Sequence, residues 1–304
     1  YHANGGEGDN VTETWAPGST VYIWDNMDAS TPHFTKKGYE LIGWDTNANA
    51  TEPTYKLGEG TITLNEDSTT LYAIWKQVNV DITITKSVVS DLAADKTTPF
   101  TFTYTVNDEP QGEPISIVDG QSATITVPVG SKVVITEAED AEFSTQYAID
   151  EADPVDGNVA TIEMVASTGH TVDFTNTRKT GSITVSKVVE GSMGDRQKDF
   201  GFTYSYTLND TVAGGFTLKH EGTFVLPNLP VGTRVTIAET DYTGDNGGYT
   251  TSWVVNEGAE SIVGLQAELT IVEGENKVVF TNHKEATPDT GIVTDSLPYI
   301  VILA

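Results

Sequence analysis

Ile183-Thr184-Val185-Ser186-Lys187-Val188-Val189 is the stretch on which the reading of the fold turns. Side chains on a strand alternate between its two faces. Ile183, Val185, Lys187 and Val189 therefore share one face, opposite Thr184 and Ser186. The apolar face is the one a folded chain buries, and here it carries a lysine inward. Earlier in the chain, Ile82-Thr83-Ile84-Thr85-Lys86-Ser87-Val88 sets Ile82, Ile84, Lys86 and Val88 together against Thr83, Thr85 and Ser87. Short runs of this kind, rich in Thr, Val and aromatic residues and broken by Gly, Asn and Asp, recur without any long helical period. They predict a mainly β chain of sandwich type. A short helix is expected at most around Ser30–Lys37 or midway through the later segments.

Each of the two quoted strands opens a repeat. An aromatic strand follows, Phe100-Thr101-Phe102-Thr103-Tyr104 in one and Phe200-Gly201-Phe202-Thr203-Tyr204 in the other. Pro-Val-Gly then precedes a strand ending in glutamate, Pro128 to Glu137 and Pro230 to Glu239. Phe-Thr-Asn closes each repeat, at Phe174-Thr175-Asn176 and Phe280-Thr281-Asn282. The separations from lysine to glutamate nearly agree (137−86 = 51; 239−187 = 52). The expected division is 1–77, 80–179, 181–285 and a tail at 286–304.

The same parity groups Val133 and Ile135 with Glu137, Val235 and Ile237 with Glu239, Val172 and Phe174 with Asn176, and Val278 and Phe280 with Asn282. Each repeat thus aims one Lys, one Glu and one Asn at its core. Isolated buried charges are costly, which favours their meeting. A lysine in an apolar core is pushed toward its neutral, nucleophilic form, and a glutamate toward its protonated form. The amine can then attack the Asn carbonyl while the Glu polarises it and passes protons to the departing ammonia. The product is a Lys–Asn isopeptide bond, formed once, with fixed proximity supplying the rate. The alternative is a buried Lys–Glu ion pair with the Asn as its hydrogen-bonded neighbour.

Composition narrows the remaining classes. The 304 residues are 38% hydrophobic, enough for packed cores, with 44 acids against 16 bases and a formal charge of −28. Such a surface repels phosphate backbones and anionic lipid heads, so no nucleic acid partner is expected. The absence of cysteine removes disulfides, thiolate metal sites and thiol nucleophiles together. Five scattered histidines (2, 33, 170, 220 and 283) form no metal-binding spacing, and neither phosphate loops nor a nucleophile elbow occur. Asp245-Asn246-Gly247-Gly248 reads as a turn, without the spacing of a calcium loop. No metal, cofactor or enzymatic turnover is expected. The chain opens on Tyr1 without a signal peptide, and the apolar Leu297–Ala304 is shorter than a membrane span. These ends read as an internal start and the beginning of a span.

The third segment resembles the streptococcal major-pilin, Cna-B-like isopeptide domain. The likeness lies in Ile183 to Gly191, Gly194-Asp195-Arg196-Gln197-Lys198-Asp199-Phe200, Leu229-Pro230-Val231-Gly232, Ala238-Glu239 and Phe280-Thr281-Asn282. The second segment is similar but lacks the Gly-Asp-Arg stretch. This resemblance implies Ig-like sandwiches with Lys187–Asn282 joined under Glu239, and Lys86–Asn176 under Glu137. The first segment resembles a Listeria–Bacteroides repeat of the internalin type, through Tyr1 to Gly6, Gly38 to Trp44 and Leu71 to Trp75. That resemblance implies a small β-grasp-like domain, whose aromatics read as core rather than as a ligand platform. Thr287-Pro288-Asp289-Thr290-Gly291 resembles a sortase signal, with Thr where the first position is usually Leu. Together these resemblances imply an extracellular, Gram-positive wall-anchored stalk whose partners are sortase and peptidoglycan. A host protein or glycan would be held through upstream domains. A ligand-binding adhesin and a polymerising pilin are the alternatives, although no Pro-Lys pair is present.

Overall fold

In the computed structural model, residues 1–64, 68–165, 168–256 and 259–286 are described. Among them, regular structure is strand throughout, apart from two 3-10 turns at Ala93–Lys96 and Gly244–Asn246. The chain divides into two compact units, Tyr1–Thr177 and the residues from Arg178 onward.

The first segment contains β1 (Thr20–Tyr22), β2 (Met27–Asp28), β3 (Thr31–Pro32), β4 (Tyr39–Asp45), β5 (Thr61–Thr63) and β6 (Tyr72–Gln77). They form three antiparallel couples, β1 with β5, β2 with β3 and β4 with β6. So small a sheet area buries little, and aromatics supply the core. Trp44 and Phe34 are fully buried, with Ala3, Ile23, Leu71 and Ala73 around them. Trp24 stacks on Trp44 at 5.9 Å, and the Trp44 indole donates to the Trp24 carbonyl at 2.9 Å. Ser30–Lys37, one place where a short helix was expected, instead holds the two-residue β3, bends at His33 and Phe34 and a bridge from Thr35 to Glu7. The reason is the buried Asn26, at φ 69°, whose amide both donates to the Phe34 carbonyl and accepts from the Phe34 N–H at 2.9 Å. That two-sided grip occupies the backbone groups a helix would need and drops Phe34 into the core.

The first sandwich follows: β7 (Asn79–Val89), β8 (Phe100–Val106), β9 (Glu109–Ile117), β10 (Ser122–Pro128), β11 (Lys132–Glu137), β12 (Phe143–Ile149), β13 (Val155–Asp156), β14 (Val159–Glu163) and β15 (His170–Arg178). One sheet has the order β10-β7-β15-β12-β13, the other β14-β11-β8-β9. The second sandwich comprises β16 (Thr180–Glu190), β17 (Phe200–Thr207), β18 (Thr211–Leu218), β19 (Thr223–Pro230), β20 (Arg234–Glu239), β21 (Thr250–Val255), β22 (Ile262–Val263), β23 (Gln266–Thr270) and β24 (Gly274–His283). Its sheets, β19-β16-β24-β21-β22 and β23-β20-β17-β18, repeat the first strand for strand. In each sandwich the opening and closing strands are parallel neighbours.

The alternation read at Lys187 is realised in β16, where Gly181, Ile183, Val185, Lys187 and Val189 are buried and the residues between them are not. β7 does the same with Val80, Ile82, Ile84, Lys86 and Val88. The Pro-Val-Gly motif sets where the glutamate strands begin. Gly130 and Gly232 have φ of 90° and 87°, a region an L side chain resists, and each turn closes from Ser131 to Pro128 or from Thr233 to Pro230. Starting both strands from the same turn puts Glu137 and Glu239 in equivalent places.

Candidate functional site

Register brings the three inward polar residues of each repeat toward one another. Lys86 on β7 stands beside Phe174 on β15, and Asn176 beside Val88, so Lys86 and Asn176 are diagonal neighbours on one inner face. Glu137 comes from the facing sheet, next to Phe102 of β8. The second repeat matches: Lys187 beside Phe280, Asn282 beside Val189, and Glu239 beside Phe202. A lysine side chain is long enough to span the diagonal, and the glutamate crosses the gap between sheets.

In the first repeat, Lys86 Nζ lies 3.1 Å from Glu137 Oε1 and 3.2 Å from Oε2, and Asn176 Nδ2 donates to Oε1 at 2.5 Å. In the second, Lys187 Nζ lies 3.0 Å from both oxygens of Glu239, and Asn282 Nδ2 donates to Oε1 at 2.7 Å. All six side chains are buried, none more than 4% exposed. Both Asn carbonyl oxygens, Oδ1 of Asn176 and of Asn282, are buried with no hydrogen-bond partner. A native core rarely leaves such an acceptor empty. The same carbonyl group is the one a lysine amine would attack.

Burial pushes the Lys86 and Lys187 amines down from 10.5 to about 8, against the opposing pull of Glu137 and Glu239. Burial likewise raises the Glu137 and Glu239 carboxyls, opposed by the lysines and by the Asn hydrogen bonds. Both shifts move the pair away from the ion pair and toward the neutral amine–carboxylic acid form. Moving one proton from lysine to glutamate converts one form to the other without exchanging a proton with water.

One contributor escaped the sequence reading. Each amine is capped by the first aromatic of the next strand in sequence, which lies in the facing sheet, Phe100 at 4.5 Å from Lys86 Nζ and Phe200 at 4.7 Å from Lys187 Nζ. The rings exclude water while offering the ammonium form only the weak attraction of a π face. The signal was present in the matched aromatic strands, but face parity does not say which core residue a buried ring covers. The histidines do not gather; His33 meets Asp28 and His170 meets Asp150, each at 2.5 Å. Among the described residues no acidic or histidine group has the form of a metal site. The Thr287–Gly291 motif and the apolar Leu297–Ala304 lie outside the described residues.

A family profile described as Domain of unknown function (DUF5979) matches residues 82–179 and 183–285. Over 162 residues the chain is 30% identical to a pilin of Streptococcus pyogenes serotype M1, covering 43% of this chain and 47% of the pilin. Over 134 residues it is 29% identical to the pilus tip adhesin Cpa of Streptococcus pyogenes, covering 38% of this chain and 18% of the adhesin. The chain thus spans about half the length of the first relative and less of the second. The crystal structure of the major pilin from Streptococcus pyogenes aligns with 69% of this chain and 99% of its own, at 17% identity and a TM-score of 0.36.

Proposed function

This chain belongs to the DUF5979 family, and from that premise we propose that it is a load-bearing segment of a Gram-positive surface protein, each repeat carrying one self-formed Lys–Asn isopeptide bond. The observation that carries the reading is the buried convergence of Lys, Glu and Asn, built twice with the same strands, register and polarity. A pilin and a pilus tip adhesin among the relatives support a structural surface role rather than an enzymatic one.

The reaction uses only these side chains. Glu137 takes the proton of Lys86, leaving a neutral amine diagonal to the Asn176 amide, with both against Glu137. Nζ adds to Cγ, and the protonated carboxyl, which in the folded chain accepts from Nδ2, stands beside the nitrogen that must leave. The amine proton passes through Glu137 to Nδ2, the Cγ–Nδ2 bond breaks, and ammonia leaves. One C–N bond forms and one breaks. Lys187, Glu239 and Asn282 act in the same way. Holding the amine and amide together in a packed core replaces the encounter of two reactants.

The mechanical consequence follows from the parallel opening and closing strands. Tension entering β7 at Asn79 and leaving β15 at Arg178 acts at opposite ends of a strand pair. With Lys86 bonded to Asn176, the chain between them carries none of that load. The path continues along the backbone to Lys187 and crosses to Asn282. A noncovalent domain, held by roughly 5–15 kcal/mol, would unravel instead. In this reading residues 1–77 form an outer domain and Thr287–Gly291 is the sortase signal. The partners are then sortase and peptidoglycan, and the location is the cell wall. The likeness to a pilin also suits a subunit of a polymer.

Intact-mass measurement tests the proposal. The purified chain should weigh less than its encoded mass by two ammonia molecules, about 34 Da. An unshifted mass would return both triplets to buried ion pairs and remove the cross-linked stalk.

A further inference from the structure

Thr251 on β21 stands directly opposite Asn282 on β24. Farther along the same ladder, the Asn256 N–H donates to the Lys277 carbonyl. Hydrogen-bonded and non-hydrogen-bonded pairs alternate along antiparallel strands, so Thr251 and Asn282 form a non-hydrogen-bonded pair. In such a pair the Cα atoms are about 4.5 Å apart and the side chains stand closest on one face. Thr251 is 2% exposed, and its Oγ1 is buried without a partner. Asn282 Oδ1 is the empty acceptor already described. A donor lacking an acceptor and an acceptor lacking a donor thus occupy adjacent positions in one core.

We propose that the Thr251 hydroxyl donates a hydrogen bond to Asn282 Oδ1 as Lys187 adds to the amide, holding the charge that gathers on that oxygen while Glu239 stands at Nδ2. This makes Thr251 a catalytic residue of the second repeat's cross-link, and it rests on the isopeptide reading. The donor needs only a turn between staggered χ1 wells. The hydroxyl keeps its proton throughout; Lys187 gains the bond to Cγ, Nδ2 leaves as ammonia, and Glu239 carries the transferred proton.

The first repeat has a counterpart. The Thr145 carbonyl accepts from Gly157 N–H at 2.9 Å, as the Thr251 carbonyl accepts from Gly264 at 3.0 Å. The Asp150 N–H bonds the Thr171 carbonyl, and counting along that ladder sets Thr145 opposite Asn176. Thr145 is only half-buried, so water competes for its hydroxyl and its contribution is smaller.

The test refolds the full chain from urea, quenches samples in acid at timed points, and follows ammonia loss in each repeat by peptide mass. Tryptophan fluorescence tracks folding in parallel. Thr251→Val replaces the hydroxyl by a methyl, at nearly constant volume. It should slow bond formation in the second repeat about 10- to 100-fold, less than the roughly 100- to 1,000-fold of a full oxyanion-donor deletion because Glu239 still serves the leaving nitrogen. The first repeat should keep its rate and serve as an internal clock. Thr251→Ala should show the same slowing should the valine pack poorly, and Thr251→Ser should stay within about threefold of the parent. A second-repeat rate in both hydroxyl-free variants equal to the parent's would overturn this inference alone. Absence of ammonia loss from the second repeat of the parent would overturn the isopeptide reading with it.

Discussion

Replacing Asn282 by alanine removes the amide that would join β24 to β16 while leaving the Lys187–Glu239 pair intact at 3.0 Å. The variant therefore strands no buried charge, and it deletes an acceptor that had no partner. Besides the Nδ2 hydrogen bond to Glu239 at 2.7 Å, what it loses is the closure of the loop from Lys187 to Asn282. In the chain-entropy account a loop of about 100 residues stabilises by about 4.7 kcal/mol through the unfolded state. For a domain of this size, 1 kcal/mol displaces the melting temperature by about 4–8 °C. Asn282→Ala should therefore lower the second sandwich's transition by roughly 20–40 °C. Differential scanning calorimetry reads the shift, and mass spectrometry on the same sample should show one ammonia regained, about 17 Da. A melting temperature within a few degrees of a parent known to carry the bond would refute the loop-closure argument.

Three further outcomes follow from the same geometry. Under force, Asn176→Ala should release the chain between Lys86 and Asn176, about 90 residues and about 300 Å of added length. The parent should show no such step at forces that unfold the variant, and an equal step in both would remove the load path. During refolding, the rate of ammonia loss should be level across the pH range between the raised glutamate pKa and about 8. It should fall below that range, where the pair gains a proton and lysine stays an ammonium, and above it, where glutamate loses the proton it donates; a rate rising monotonically through pH 9 would contradict this. In the double variant Asn176→Ala, Asn282→Ala the lysines remain free amines, pushed from 10.5 to about 8 when folded. The unfolded chain then binds more protons between those values, so stability should rise as pH climbs from 8 toward 10.5. The parent, whose lysines would be amides, should show no such rise in urea melts.

How much was legible differs from residue to residue. Lys86, Glu137 and Asn176 could be assigned to the core from their neighbours alone, because a period of two places alternate residues on one face. The repeat added the order of the strands and the equivalence of Gly130 with Gly232 and of Glu137 with Glu239. The Ser30–Lys37 expectation failed because a single side chain, Asn26, captures the Phe34 backbone from outside the local pattern. Phe100 and Phe200 were visible as core residues but not as the covers of the two amines.

From sequence alone came the β character, the doubled unit and the inward direction of three polar side chains. All of these are local properties, decided by alternation along one strand. That Lys86 and Asn176 lie on adjacent parallel strands, with Glu137 reaching them from the other sheet, depends on which distant strands pair and in what register. The meeting of Thr251 with Asn282 depends on the same thing. Those pairings come from packing one entire sheet against another. No window of neighbouring residues contains that information, and only the folded chain holds it.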